Sequence, residues 1–500
     1  SSDVQDQTAQ ILLDFWYIIL VAALAFGALI LLYKKTALQH RKAGWQAWLL
    51  WTPLLFAFML VAARGGIQLK PVDVIHAGKY SSAQNIPLVL NTPFTFMKSI
   101  GKENLQPVHY FPEEKLEKIY SPVLHFVEGE PSKKLNVVIL ILESFSSEYI
   151  GFLNDYPGYT PFLDSLMRES LVFTNAYANG KKSIESLPAI LSGIPSLSQN
   201  PYISSNYSGN QISSLPKSLG KHGYNSSFYH GGANGTMGFD AFANMAGIEK
   251  YYGLNQYANK EKDYDGNWGI FDEPYLQYFN EELSQKEQPF FAGVFTLSSH
   301  HPYTIPATYE GKFPKGSLKI HESIGYADYA LKLFFDAAKK EDYYKNTLFI
   351  LVADHTAQTD QAEYQNRPGM FRIPVVFHYN RQLIGVNDAV AQQSDIFPSI
   401  IDFLNLPADF VCFGNSLFRD NSDHFAINYI NGLYQIIQKD YSFLYDGEEA
   451  VELINYKRPI AEQQNILQQK AEIAGKMERK LKAVIQQYNR RVINNQLTAE

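Results

Sequence analysis

The sequence predicts an α/β fold in which a mostly parallel central sheet carries helices on both faces, with a small antiparallel C-terminal part and transmembrane helices in front. Three observations predict it. From Leu135 onward, short apolar strand-like runs alternate with helix-period patterns, the mark of a parallel sheet covered on both sides. After Asp423 the runs shorten toward antiparallel pairing. Near the N-terminus, Phe15 to Tyr33 and Trp45 to Ala63 are each free of charge. Either is long enough to cross a hydrocarbon core about 30 Å thick.

The membrane segments come first in the chain. Lys34, Lys35, Arg41 and Lys42 lie between them, and cationic loops stay cytoplasmic, so everything after Arg64 is expected outside. A cleaved signal peptide is the other reading of the first segment. A second span and the lack of a short apolar region with a small-residue cleavage site argue against it. The chain starts with Ser and enters its first span almost at once, so it reads as a piece of a longer membrane protein. Residues 1–64 are therefore taken as a transmembrane region.

Residues 65–134 are Pro-interrupted and mixed in polarity, and are expected to be a linker at the membrane face with a short helix at Pro112 to Tyr120. Residues 135–450 hold the α/β domain. Its expected strands are Val137 to Leu142, Leu171 to Ala176, Asn225 to Tyr229, Phe290 to Leu297, Thr347 to Ala353 and Ile373 to His378. Thr160 as cap and Pro161 at the first position open one helix, and Tyr326, Tyr329, Leu333 and Phe334 line one side of another, Ile324 to Lys340. Phe425 to Ile430 and Tyr441 to Tyr445 are the antiparallel runs. Residues 451–500 are read as a helical extension ending in a long solvated helix rich in Gln and Lys.

Composition sets further bounds. A length of 500 residues allows roughly three domains, or one large α/β domain with appendages. The formal charge of −7, without a strong basic stripe, argues against a nucleic-acid binder. The 33 Tyr and 33 Phe fit a large packed core, and also a domain that handles lipid or carbohydrate. Cys412 is alone, so no disulfide framework holds the fold, and the thiol is expected to be buried filler.

Chemistry concentrates where strands end. The apolar run LNVVILIL stops on Glu143, and TLFILVA stops on Asp354 and His355. Ser183 follows Gly180-Lys181-Lys182 and opens the helical pattern SIESLPAILSG. In parallel α/β sheets ligands bind beyond the carboxyl ends of strands, so these four residues are expected to converge. Two carboxylates, an imidazole and a hydroxyl suit Mn²⁺, Mg²⁺ or Zn²⁺. A hydroxyl beside such a cation and at a helix N-terminus gives up its proton readily and attacks phosphorus, leaving a phosphoseryl intermediate. Taken singly, the serine also reads as an N-cap and the Asp-His pair as a turn. Their joint placement raises the metal reading above these.

Together LNVVILILESFSSEYIG, TPFLDSLMRESLVFTNAYANGKKSIESLPAILSGIPSL, LGKHGYNSSFYHG, FTLSSHHPY, LFILVADHT, RIPVVFHY and SDIFPSIIDFLNLP resemble the lipoteichoic acid synthase group of the alkaline phosphatase and sulfatase superfamily. RGGIQLKPV is similar to that group's membrane exit. The resemblance implies an alkaline phosphatase-like catalytic domain on the outer side of a multi-pass protein in a bacterial plasma membrane, serving the cell envelope. It implies transfer of a phosphoalcohol head group, phosphoglycerol or phosphoethanolamine, from a phospholipid donor to a glycan or lipid acceptor. It implies one divalent metal, Mn²⁺ first with Mg²⁺ or Zn²⁺ as alternatives, on Glu143, Ser183, Asp354 and His355, with Ser183 as nucleophile. His300 then matches a histidine beside the transferred phosphate, where it stabilises charge or protonates a leaving group. His301 and Lys182 are further substrate-binding candidates, each of which also reads as merely solvated.

The chain departs from the group in one place. The loop after FYHG lacks the acid, Trp and Arg with which those synthases grip glycerophosphate; it reads YHGGANGTMGFD. His230, and Trp268 from NWGIFDEP, are expected to contribute instead, while Asn234 and Thr236 read as turn residues. A sulfatase is argued against, because the Cys/Ser-x-Pro-x-Arg motif is missing around both Ser183 and Cys412. A two-metal phosphatase is disfavoured for want of a second ligand set. A hydrolase of the same fold, with water as acceptor, and a non-catalytic lipid-binding protein are the competing readings.

Overall fold

The computed structural model describes residues 16–35, 44–67, 71–81, 85–100, 102, 104–127, 133–419 and 423–499. The chain forms two compact units, Ser1–Pro71 and Val72–Glu500. In the first are helices Trp16–Lys35 and Trp45–Arg64. Among the described residues, Trp45–Arg64 is the one helix long and apolar enough to cross a membrane, by length and composition, and none of its residues is buried. Two spans were expected. Phe15, Arg41 and Lys42, on which that expectation partly rested, lie outside the described residues.

Among the described residues the second unit holds fourteen strands, in chain order β1 (Val123–Phe126), β2 (Asn136–Leu142), β3 (Leu171–Tyr177), β4 (Asn225–His230), β5 (Lys250–Tyr252), β6 (Phe290–Phe295), β7 (Thr347–Ala353), β8 (Val375–His378), β9 (Gly385–Gln392), β10 (Ala408–Val411), β11 (Ala426–Ile430), β12 (Leu433–Gln438), β13 (Tyr441–Tyr445) and β14 (Ala450–Asn455). The central sheet has eight strands in the order β5-β4-β6-β2-β7-β8-β3-β9. Within it β8 runs against both neighbours, and every other pairing is parallel. β2 lies in the interior, and all of its residues, like those of β6 and β7, are buried. Helices on both faces bury such strands, which is why they read as unbroken apolar runs. Because β4, β6, β2, β7 and β3 point the same way, their carboxyl ends share one edge.

β11 to β14 form a separate antiparallel sheet, and β1 pairs with β10. Three expectations change here. The expected linker is part of the second unit from Val72 on: Ile75, Ile86 and Leu116 are buried in its core, and β1 is tied to β10. The expected boundary at residue 450 falls at the start of β14, whose hydrogen bonds to β13 make it the last strand of the antiparallel sheet. The final helix, Ala471–Ile493, is long as expected but not solvated all round. Met477, Leu481, Val484, Tyr488 and Val492 recur on one face, buried against the core.

Thr160 also departs from its expected role. Its hydroxyl donates to Asp164 Oδ1 at 3.2 Å instead of capping. The first-turn amides of Phe162 and Leu163 donate to the Asp328 carboxylate, at 2.9 and 2.8 Å, from the helix Ile320–Ala338.

Candidate metal centre

Beyond the shared carboxyl edge, Glu143, Asp354 and His355 offer one ligand atom each, all within 4.8 Å of one another. Parallel pairing of β2 with β7 makes this unavoidable, since Leu142 is in register with Ala353 and the next residue of each strand carries the acid. His355 Nε2 lies 3.1 Å from Asp354 Oδ2 and 3.8 Å from Glu143 Oε1. Ser183 Oγ donates to Glu143 Oε2 at 3.2 Å and lies 3.3 Å from His355 Nε2. Donors about 2.1 Å from a common centre sit about 3.0 to 3.4 Å apart across an octahedral or tetrahedral edge. The spacings of 3.1, 3.2 and 3.3 Å fall in that range, and the 3.8 Å between His355 and Glu143 is longer.

The serine arrives from another part of the sheet. β3 ends at Tyr177, and the following loop leads to the helix Ser183–Ser192. Lys182 holds the N-cap position and Ser183 is the first helical residue, so the N-cap reading of this serine does not apply. Glu185 Oε2 accepts the Lys181 and Lys182 amides at 2.7 and 3.0 Å, which fixes the helix start without the Ser183 hydroxyl. That leaves Oγ facing the acids.

Backbone contacts hold the other members. Glu143 N–H donates to Thr296 Oγ1 at 2.9 Å, and its carbonyl accepts from Ser299 Oγ at 2.6 Å. Asp354 Oδ1 accepts the amides of Ser144 and His355, both at 2.7 Å. Ser144 adopts a left-handed φ of 59°, a strained position for a non-glycine residue at the point where the chain turns over the site. His355 Nδ1 donates to the Thr356 carbonyl at 2.8 Å, which fixes the tautomer and turns the Nε2 lone pair toward the acids.

Such a cluster is costly without a cation. Burial, and then the charge of Asp354, hold the Glu143 carboxyl well above the usual carboxylate range. Asp354 Oδ2 is buried and accepts no hydrogen bond. An orphaned carboxylate oxygen, two facing acids and an imidazole nitrogen fit a hard divalent cation.

A second group of residues flanks this cluster through the segment that follows β6. Ser299 contacts the Glu143 carbonyl, and His300 is the next residue. The Trp268 ring packs on His300 at 4.3 Å between centroids, and its Nε1–H donates to the His301 carbonyl at 2.6 Å. Trp268 is 43% exposed, so part of the ring remains free for a ligand. His230 ends β4 close to His300, buried between Phe239 and Phe295, with neither ring nitrogen hydrogen-bonded. Burial, and then the charge of His300, pull its pKa down to about 4, so the ring is neutral near pH 7.

The structure does not draw in every expected residue. Lys182 and His301 have exposed side chains. The lysine turned inward is Lys181, whose Nζ donates to the Met370 carbonyl at 2.9 Å and to Thr356, and whose pKa burial lowers to about 8. Two lysines side by side gave no signal to choose between them. Asn234 stays a turn residue, bonded to Gln256 and the Asn255 amide. Tyr303 was missed: it follows His300 closely, and burial, then the charge of Glu143, raises its pKa. A tyrosine in a chain with 33 of them gives no pattern to find it by.

The strand order and the edge that carries these groups define an alkaline phosphatase-like α/β protein. The chain belongs to the sulfatase family, whose model matches residues 135–406. The chain is 25% identical over 322 residues to the lipoteichoic acid synthase-like YvgJ of Bacillus subtilis, covering 59% of this chain and 52% of that one. It is 26% identical over 341 residues to the lipoteichoic acid synthase of Staphylococcus aureus (strain bovine RF122 / ET3-1), covering 63% and 51%. It thus spans about half the length of these curated relatives. Among solved structures, a protein in the alkaline phosphatase superfamily from Vibrio parahaemolyticus superposes with a TM-score of 0.70 at 23% identity, covering 79% of this chain and 99% of that one. The lipoteichoic acid synthase LtaP of Listeria monocytogenes gives 0.64 at 19%, covering 76% and 98%.

Proposed function

We propose that the protein is a membrane-anchored, metal-dependent transferase that moves a phosphoalcohol head group, phosphoglycerol or phosphoethanolamine, from a phospholipid to a glycan or lipid acceptor on the outer side of a bacterial plasma membrane. One observation carries this reading: Ser183 Oγ lies 3.2 Å from Glu143 and 3.3 Å from His355, not in a cap. The curated relatives named as lipoteichoic acid synthases support the phosphoalcohol class. Trp16–Lys35 and Trp45–Arg64 are proposed as the two spans that keep the catalytic unit near its lipid.

Glu143, Ser183, Asp354 and His355 would hold the cation. When bound it supplies positive charge that lowers the serine's pKa and neutralises the phosphoryl oxygens. Ser183 gives its hydroxyl proton to solvent, its Oγ attacks phosphorus, an Oγ–P bond forms, and the bond from phosphorus to the diacylglycerol oxygen breaks. His300 gives that leaving oxygen its proton. The acceptor hydroxyl then returns a proton to His300, attacks the phosphoserine, and frees Ser183. His230 and Trp268 border the head group, with Lys182 and His301 at the rim. The N-terminus of the Ser183–Ser192 helix favours the negative charge that builds on the phosphoryl group.

The test incubates the purified full chain with Mn²⁺ and radiolabelled phosphatidylglycerol or phosphatidylethanolamine. Diacylglycerol release together with label on an acceptor glycan or lipid supports transfer. Free head-group phosphate alone means a hydrolase, and no turnover equal to that of Ser183→Ala means a binding protein.

A further inference from the structure

Away from the cluster, on the flank where β3 approaches the segment after β14, lies a polar cavity of about 360 Å³. Arg372 lines it, with Lys457 and Arg458 exposed beside it, and Glu363 is the acid among the described lining residues. The Arg372 backbone is fixed on two sides. It bridges to Tyr177, and its carbonyl accepts the Ser147 amide at 3.1 Å.

The guanidinium is poorly matched by the protein. Nη2 donates to the Thr174 carbonyl at 3.3 Å, the group lies 5.2 Å from the Tyr364 ring centroid, and Nε is buried without a hydrogen-bond partner. Among the described residues no carboxylate pairs with it. An arginine keeps its charge under all ordinary conditions, and burying that charge without an anion is expensive. The polar side chains around it are already engaged. Asn175 bonds Tyr456 Oη and Tyr177 Oη, at 2.8 and 2.7 Å, and Gln463 bonds the Arg458 carbonyl at 2.8 Å.

We propose that this cavity is a second oxyanion site, which takes the phosphate of a monoester or diester on Arg372, with Lys457 and Arg458 closing over it. A planar guanidinium with free N–H groups matches two oxygens of a tetrahedral phosphate. Three cations against one acid in the lining favour an anionic ligand. Position adds a consequence. The same loop that carries Arg372 supplies the Met370 carbonyl that holds Lys181, two residues before Ser183. The assignment does not rest on the transferase reading, since binding alone tests it.

The experiment titrates the detergent-solubilised full chain, stripped of metal with EDTA, with inorganic phosphate in one arm and dimethyl phosphate in the other, by calorimetry in a phosphate-free buffer. The expected result is one saturable site per chain, unchanged in Ser183→Ala and weakened at least tenfold in Arg372→Met. Arg372→Lys should retain part of the affinity. Preference for inorganic phosphate indicates a monoester or free phosphate as the natural source, and preference for dimethyl phosphate indicates a phosphodiester. If Arg372→Met does not fold, the double variant of exposed residues, Lys457→Ala with Arg458→Ala, must weaken binding about tenfold. Saturable binding by neither probe, or binding that a folded Arg372→Met or the double variant leaves intact, overturns the proposal. Active transfer with no phosphate bound in this assay would discard this site and leave the proposed function standing.

Discussion

The ligand cluster and the histidine-tryptophan wall beside it are built on opposite principles. In the cluster each member is pinned: the Asp354 carboxylate by two amides, the His355 ring by the Thr356 carbonyl, and the Glu143 backbone by the hydroxyls of Thr296 and Ser299. In the wall, Trp268 meets the His300 segment by one ring contact and one hydrogen bond, while His230 has no polar partner. Under the proposed transfer reaction, the cluster would have to hold one geometry whatever group moves, whereas the wall would differ with the head group. On this account cluster mutations abolish chemistry, and wall mutations change which substrate is taken.

The sharpest way to break the contrast is Ser183→Ala, which is expected to lower turnover about 10⁴-fold or more while the melting temperature stays within a few degrees. A residual rate near wild type would remove the nucleophile from the account. Asp354→Asn should weaken Mn²⁺ binding by more than about a hundredfold, read by calorimetry, because a direct ligand matters more than the outer partners that orient it.

The wall makes a pH-dependent prediction. His230 in the folded protein has a pKa near 4 against an ordinary value of 6.5. The unfolded chain therefore takes up a proton first as pH falls, and stability is lost between about 6.5 and 4, by about 3 kcal/mol for this residue. His378, also lowered to about 4 by burial, adds to the same window. Melting curves of wild type and His230→Gln at pH 7 and 4.5 check this: the variant should lose less. The smallest effect is expected from Trp268→Ala, about tenfold in kcat/KM for one head group and less for the other. Equal losses for both would mean that the wall does not select.

Sequence reading served these two regions unequally. Glu143, Asp354 and His355 stand at the tips of buried parallel strands, where an unbroken apolar run ending on a polar residue marks both the strand and its end. β5 and β9 left no such mark, one being three residues long and the other a half-exposed edge strand that opens on Gly385. The reversed direction of β8 was equally hidden, since a buried strand looks the same either way. Around the site, Ser183 was found by its place before a helix pattern, while Lys181 and Tyr303 gained their surroundings only from tertiary contacts. The buried face of the Ala471–Ile493 helix went unseen because its apolar residues are diluted by Gln and Lys.

Anomalous diffraction from Mn²⁺-loaded crystals tests the central claim most directly. One manganese peak is expected, bonded to Glu143, Asp354, His355 and Ser183 Oγ. A peak elsewhere, or a Ser183 hydroxyl turned away from the metal, would contradict it.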